Sequence, residues 1–151
     1  MIFGERLDAA IRERGALCVG IDPHTSLLAE WGLSVSAAGV ERFALTCVEA
    51  FAGEAAVLKP QSAFFEVFGS AGIAVLERTV RSARAAGALV LLDVKRGDIG
   101  STSQAYADAY LDPASPLASD AKTRSTASGA KCDRSRSTAR STLGRSLPAS
   151  R

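Results

Sequence analysis

One strand-like run ends in two carboxylates and an ammonium group. Ala88-Leu89-Val90-Leu91-Leu92 leads straight into Asp93-Val94-Lys95-Arg96-Gly97-Asp98-Ile99-Gly100. Interleaved acids and bases suit proton transfer and the stabilisation of developing charge, because opposite charges at close range keep one another ionised where water is scarce. Asp93 and Lys95 are two residues apart and share a face of an extended backbone, while Asp98 lies past the turn at Gly97. Alone, such a cluster is most often a solvated loop. Its place at a strand's carboxyl end changes the reading, since parallel α/β folds bind ligands there.

Two further strand ends repeat the pattern. Leu17-Cys18-Val19-Gly20-Ile21 is a short apolar run that stops at Asp22-Pro23-His24, and Ala55-Ala56-Val57-Leu58 stops at Lys59-Pro60. Helical periodicity separates the strands. Leu7, Ala10 and Ile11 form an apolar stripe that Gly15 ends, and Val40, Phe43, Ala44, Cys47, Val48 and Phe51 form another that Ser36 can cap. Phe64, Phe65 and Phe68, then Ile73, Val75, Leu76 and Val80, continue the pattern to Gly87. A last helix from near Asp98 carries Tyr106, Ala109 and Tyr110 until Asp112-Pro113, and a fourth strand begins near Leu117 to Ala121. Strands alternating with helices at this spacing imply βα units and a parallel sheet. Asp22, Lys59 and the Asp93/Lys95 pair then converge on one edge.

Charge divides the chain. Of the 151 residues, the first 121 carry ten basic and fifteen acidic side chains, whereas the last 30 carry eight basic and one acidic. The overall charge of +2 therefore describes neither part and is no nucleic-acid signature for the whole. Cys18, Cys47 and Cys132 lack the paired spacing of a zinc site or a disulfide framework, which points to a reducing cytoplasm. No segment approaches the roughly 20 apolar residues of a membrane span, and the N-terminus lacks a secretory pattern. His24, the single histidine, reads as a loop or capping residue, Arg96 as structural or phosphate-side, and Trp31 as a loop residue without a role.

The octet Asp93–Gly100 resembles the Asp-x-Lys-x-x-Asp signature of the orotidine 5'-phosphate decarboxylase family. Gly20-Ile21-Asp22-Pro23-His24 is similar to that family's first strand end, and Lys59-Pro60-Gln61-Ser62-Ala63-Phe64-Phe65-Glu66 to its second. The wording is nearest the bacterial branch that includes the mycobacterial enzymes, and the resemblance covers about residues 1–121. It implies a cytoplasmic homodimer of (β/α)₈ TIM barrels that converts orotidine 5'-phosphate to UMP and CO₂ with no cofactor and no metal. By the same resemblance Lys95 donates the proton to C6, Asp93 lies against the substrate carboxylate, and Lys59 bridges Asp93 and the ribose. Asp98 reaches into the partner's site with Ile99 and Thr102, and Asp22 binds the ribose. A Mg²⁺-dependent sugar-phosphate decarboxylase or aldolase of the same superfamily carries a similar octet, but Lys59-Pro60 and Asp98-Ile99-Gly100 favour the first reading.

The resemblance stops where the composition changes. A full barrel takes about 200–250 residues, and three βα units with the start of a fourth strand make only its N-terminal half. The family's later Ser/Thr/Asn-Pro loop, lid glutamine and Gly…Arg phosphate grip have no counterpart here. Residues 122–151 are instead a Ser/Thr/Arg/Ala mixture with Leu143 and Leu147 as its large aliphatics. By itself this is a disordered basic tail, a candidate for nucleic-acid binding in a non-catalytic protein. A shifted reading frame explains it better: one nucleotide upstream, the codons of Lys122 onward can encode Asn-Pro-Phe-x-Gly-Phe-Gly, similar to the segment due after the family's fourth strand. The expectation is an unstructured, out-of-frame tail on an inactive half barrel whose open apolar sheet makes it poorly soluble.

Overall fold

A computed structural model describes residues 2–126 and 129–133. Four parallel strands stand side by side in chain order: β1 (Cys18–Ile21), β2 (Val57–Pro60), β3 (Leu89–Leu92) and β4 (Ala121–Thr126). A fifth, β5 (Gly129–Asp133), returns antiparallel along β4. Helix α1 (Phe3–Arg14) precedes β1; α2 (Thr25–Glu30) and α3 (Ala37–Phe51) link β1 to β2, α4 (Ala63–Glu66) and α5 (Gly69–Ala85) link β2 to β3, and α6 (Gly100–Leu111) links β3 to β4. The parallel strand order never reverses. That winding belongs to a (β/α) barrel, whereas a doubly wound sheet turns back at a switch point.

Local chemistry sets the element ends. Gly15 closes α1 in the left-handed region (φ 79°) and returns its N–H to the Ile11 carbonyl. Ser36 caps α3 by accepting the Gly39 N–H at 3.2 Å. Helix α2 is an addition to the elements expected from periodicity. With six residues and no capping side chain it leaves almost no signal, and Trp31, expected in a loop, is its C-cap with its ring 4.8 Å from Phe43.

Strand parity divides the sheet into two faces. Val19, Ile21, Leu58, Val90, Leu92 and Val94 point outward and join Phe43, Val48, Leu76 and Val80 of α3 and α5 in the main core. Each fully buried aliphatic there contributes about 1.5–3 kcal/mol. Val57 and Leu89 face inward and pack beneath Phe3, Leu7 and Ala10 of α1, with Leu91 half-buried beside them. Cys18, on the same inner face, is exposed. The inner face is apolar at the amino ends of the strands and charged at their carboxyl ends.

Strand β4 extends five residues past the boundary at residue 121 that composition suggested: Ala121 and Lys122 pair in parallel with Leu91 and Leu92, and residues 122–126 pair antiparallel with β5. Lys122 is itself buried. Residues 129–133 of the expected unstructured tail form β5, and residues 127–128 and 134–151, Leu143 and Leu147 among them, lie outside the described residues. No described helix is long and apolar enough to cross a membrane.

Asp120 locks α1 and β3 to the start of β4. Its side chain is 1% exposed, pairs with Arg6 Nη2 at 2.5 Å and accepts the Val90 N–H at 2.8 Å. Asp120→Ala leaves that N–H without its acceptor and is expected to cost about 2–3 kcal/mol. Arg6→Ala leaves the buried Asp120 carboxylate without its cation and is expected to cost at least as much, about 3 kcal/mol. Urea unfolding of both variants, with exchange of the Val90 amide, measures both costs.

Candidate active site

The carboxyl ends of β1, β2 and β3 deliver four charged side chains to one place. Asp22 follows β1, Lys59 lies in β2, and Asp93 and Lys95 follow β3. Lys59 Nζ stands 3.8 Å from Asp22 Oδ1 and 3.6 Å from Asp93 Oδ2, and Lys95 Nζ donates to the same Asp93 oxygen at 2.7 Å. The charges alternate as acid, base, acid, base. Backbone pairing beyond the strand ends holds them there: Asp93 donates its N–H to the Pro60 carbonyl at 2.9 Å, Ser62 donates to the Asp93 carbonyl at 3.1 Å, and Gln61 donates to the Ile21 carbonyl at 3.2 Å.

Space is tight beside β1. Gly20 pairs in register with Lys59, and a Cβ there would lie 3.3 Å from Asp22 Oδ2, so glycine leaves that carboxylate its room. Asp22 Oδ1 is buried and has no hydrogen-bond partner among the described residues, since Lys59 is too distant for one. An orphaned acceptor at a strand end is an opening for a ligand donor.

Asp93 is 8% exposed. Burial by itself would raise its pKa, but hydrogen bonds from Lys95 and Thr123 and the charges of Lys95 and Lys59 outweigh burial and hold the carboxyl below the usual aspartate range. Thr123, in β4, donates to Asp93 Oδ1 at 2.6 Å and accepts the Lys95 N–H at 3.0 Å. Lys95 has φ 48°, a left-handed conformation that costs a residue bearing a Cβ on the order of 1–2 kcal/mol.

The loop after β3 is braced from both sides. On one side Arg96 makes a two-pronged pair with Glu66 of α4 at 2.8 and 3.0 Å, and Ser62 donates to the same carboxylate at 2.5 Å. Arg96 thus ties the loop to α4. On the other side Lys122 Nζ donates to the Arg96 carbonyl at 3.1 Å and Arg124 Nη2 to the Asp98 carbonyl at 3.1 Å. The Arg124 side chain crosses Gly97 so closely that a Cβ there would lie 2.3 Å from its Cγ.

Four of the seven expected site residues, Asp22, Lys59, Asp93 and Lys95, meet. Asp98, Ile99 and Thr102 do not join them: all three are exposed at the start of α6, and the Asp98 carboxylate accepts only the neighbouring Ile99 N–H at 2.8 Å among the described contacts. Ile99 is 81% exposed, an unusual place for a large aliphatic. His24 occupies the N-cap position of α2 without a side-chain capping bond and packs its ring 4.1 Å from Phe64. Phe65 is fully buried, while Phe64 and Phe68 are partly buried against the core. Thr123 and Arg124 had no signal of their own, and only the register of β4 on β3 could have brought them to the octet; Glu66 was legible only as the last residue of the Lys59–Glu66 segment.

Residues 15–132 match the family described as Orotidine 5'-phosphate decarboxylase / HUMPS family. The chain is 74% identical over 121 residues to the orotidine 5'-phosphate decarboxylase of Nocardioides sp. and 68% identical over 121 residues to that of Streptomyces coelicolor. In each case the match takes in 80% of this chain and 44% of the relative, so the chain spans less than half the length of the curated relatives it matches. A crystal structure of a Streptomyces avermitilis protein assigned as an orotidine 5'-phosphate decarboxylase superposes with a TM-score of 0.82 at 65% identity, covering 85% of this chain and 45% of that one. Leishmania donovani OMP decarboxylase superposes with a TM-score of 0.62 at 35% identity, covering 74% and 40%.

The depressed Asp93 pKa makes a pH prediction. A carboxyl held lower in the folded than in the unfolded chain stabilises the fold above the unfolded value of about 4, and that contribution disappears as pH falls through the lower folded value. The stability gap between the unmutated chain and Asp93→Asn is therefore expected to be constant above about pH 5 and to shrink below about pH 4. Urea midpoints of both proteins between pH 2 and 7 measure it.

Proposed function

The chain belongs to the Orotidine 5'-phosphate decarboxylase / HUMPS family, and from that membership we propose that it carries the decarboxylating charge array of an orotidine 5'-phosphate decarboxylase but does not turn over alone. The observation that carries this reading is the Asp22–Lys59–Asp93–Lys95 series, with successive contacts of 3.8, 3.6 and 2.7 Å. Loss of CO₂ from C6 of the orotate ring leaves a carbanion with almost no resonance relief. A fixed ammonium beside that carbon stabilises the developing charge and then protonates it, which is the role of Lys95.

Asp93 takes the position against the departing carboxylate, where repulsion between like charges favours release of CO₂; the weight of such ground-state effects is contested. Lys59 keeps Asp93 ionised and reaches toward the ribose. Asp22, with its orphaned Oδ1, accepts a ribose hydroxyl. Asp98, Ile99 and Thr102 serve a partner's site in a cytoplasmic homodimer, a role that suits their exposure and their distance from the array in their own chain. The reaction so written draws its proton and its charge stabilisation from the protein and uses no metal or organic cofactor.

The inactivity proposed for the isolated chain rests on the phosphate grip, which is not among the described residues. Binding energy from a remote phosphate is what pays for distortion and alignment at the reacting carbon, and no residue of the described half barrel has been assigned to that phosphate. The family match through residue 132 supports reading β4 at its place in the barrel, while the out-of-frame reading of residues 122–151 rests on their composition and on the shifted frame that begins at Lys122.

A chimaera tests the reading. Residues 1–121 of this chain, replacing the matching stretch of the Nocardioides protein, are expected to restore growth of a pyrimidine auxotroph, while this chain alone is not. Lys95→Ala in the chimaera is expected to lower kcat by about 10³-fold or more. Growth on this chain alone overturns its inactivity, and a folded chimaera without activity overturns the assignment.

A further inference from the structure

The reaction as proposed gives no task to β4, yet one of its residues touches both groups that the chemistry uses most. Thr123 Oγ1 donates to Asp93 Oδ1 at 2.6 Å and accepts the Lys95 N–H at 3.0 Å. A hydroxyl can do both at once, with one proton and two lone pairs. The first bond occupies Oδ1 and turns Oδ2 toward the ammonium groups of Lys95 and Lys59, at 2.7 and 3.6 Å. The second bond secures the Lys95 backbone in its left-handed conformation, from which the side chain curls back to Asp93 two residues earlier.

The neighbouring residues of β4 behave differently. Lys122 Nζ donates to the backbone carbonyl of Arg96 and Arg124 Nη2 to that of Asp98, both in the loop. The pairing of Leu91 with Ala121 and Leu92 with Lys122 carries Thr123 to the same inner face as Asp93, by the alternation of a strand. A hydroxyl on the adjacent strand thus meets the carboxylate by register, with no motif to announce it.

We propose that Thr123 is a positioning residue of this site: its hydroxyl fixes which oxygen of Asp93 faces the two ammonium groups and holds Lys95 in the backbone conformation that brings its ammonium to that oxygen. The roles of Asp93 and Lys95 rest on the decarboxylase reading; the clamp itself can be measured without substrate. The groups that face Asp93 are Lys95 from its own segment, Lys59 from β2 with Asp22 of β1 behind it, and Thr123 from β4. Thr123→Val keeps the side chain's shape and removes both hydrogen bonds, whereas Thr123→Ser keeps the hydroxyl.

Carbon-detected titration of the Asp93 carboxyl in the full chain is the test, with the Lys95 amide followed in the same samples. In Thr123→Val the Asp93 midpoint is expected to shift upward and the Lys95 amide to lose its protection from exchange, and Thr123→Ser is expected to restore both. An unmoved Asp93 midpoint in a folded Thr123→Val chain, or a serine variant that behaves like valine, overturns the proposal. Should the valine variant fail to fold, the unmutated and serine chains decide: a Lys95 amide that is protected and shifts with the Asp93 midpoint supports the clamp, and one that does neither overturns it. Failure of the chimaera above would remove the decarboxylase reading and leave this titration standing, and an absent clamp would leave the chimaera's activity untouched.

Discussion

A carboxylate that is nine-tenths out of water has to be surrounded before a chain can keep it charged, and Asp93 imposes that condition on everything near it. Lys95 answers from the same segment, Lys59 from β2 and the Thr123 hydroxyl from β4. Three strands must therefore be in register at their carboxyl ends for one side chain to be tolerated. Parity supplies that register, because the partners of Val57 and Leu89 on the inner face lead, two residues at a time, to Lys59 and Asp93. The outer face of the same strands is apolar and buries against α3 and α5. Slipping any strand by one residue would send a charge into that core and an aliphatic into the site.

The octet is a loop, and loops that carry chemistry need support from rigid elements. Glu66 of α4 holds Arg96 from one side, and Lys122 and Arg124 of β4 hold two of its carbonyls from the other. These contacts brace the loop around Lys95, whose φ of 48° the bond from its own N–H to Thr123 holds directly. The fold thus gathers its stability at the amino ends and outer face of the sheet, under α1, α3 and α5, and spends part of it at the carboxyl ends.

Much of this was legible in the residues alone. The alternation of apolar strands with amphipathic helices gave the parallel sheet, and the ionisable residue after each strand gave Asp22, Lys59, Asp93 and Lys95 as one cluster. Helix α2 was not legible, being too short for a period and lacking a capping side chain. Strand β4 was hidden by its composition: Lys122, Thr123 and Arg124 look like the start of a solvated basic tail, and backbone pairing with Leu92 on one side and with β5 on the other makes them part of a sheet. Asp98, Ile99 and Thr102 share the octet's neighbourhood in sequence, but the turn at Gly97 carries them to the exposed start of α6, away from the array in their own chain.

The central claim is that Asp22, Lys59, Asp93 and Lys95 act as one electrostatic unit, with Asp93 at its centre. The most direct measurement follows the ammonium nitrogens of Lys59 and Lys95 in the unmutated chain as the pH is lowered through the titration of the Asp93 carboxyl. Both nitrogens are predicted to shift at the midpoint of that carboxyl, and the midpoint to lie below the usual aspartate range. An ammonium that does not sense Asp93, or a midpoint at or above that range, would contradict the account.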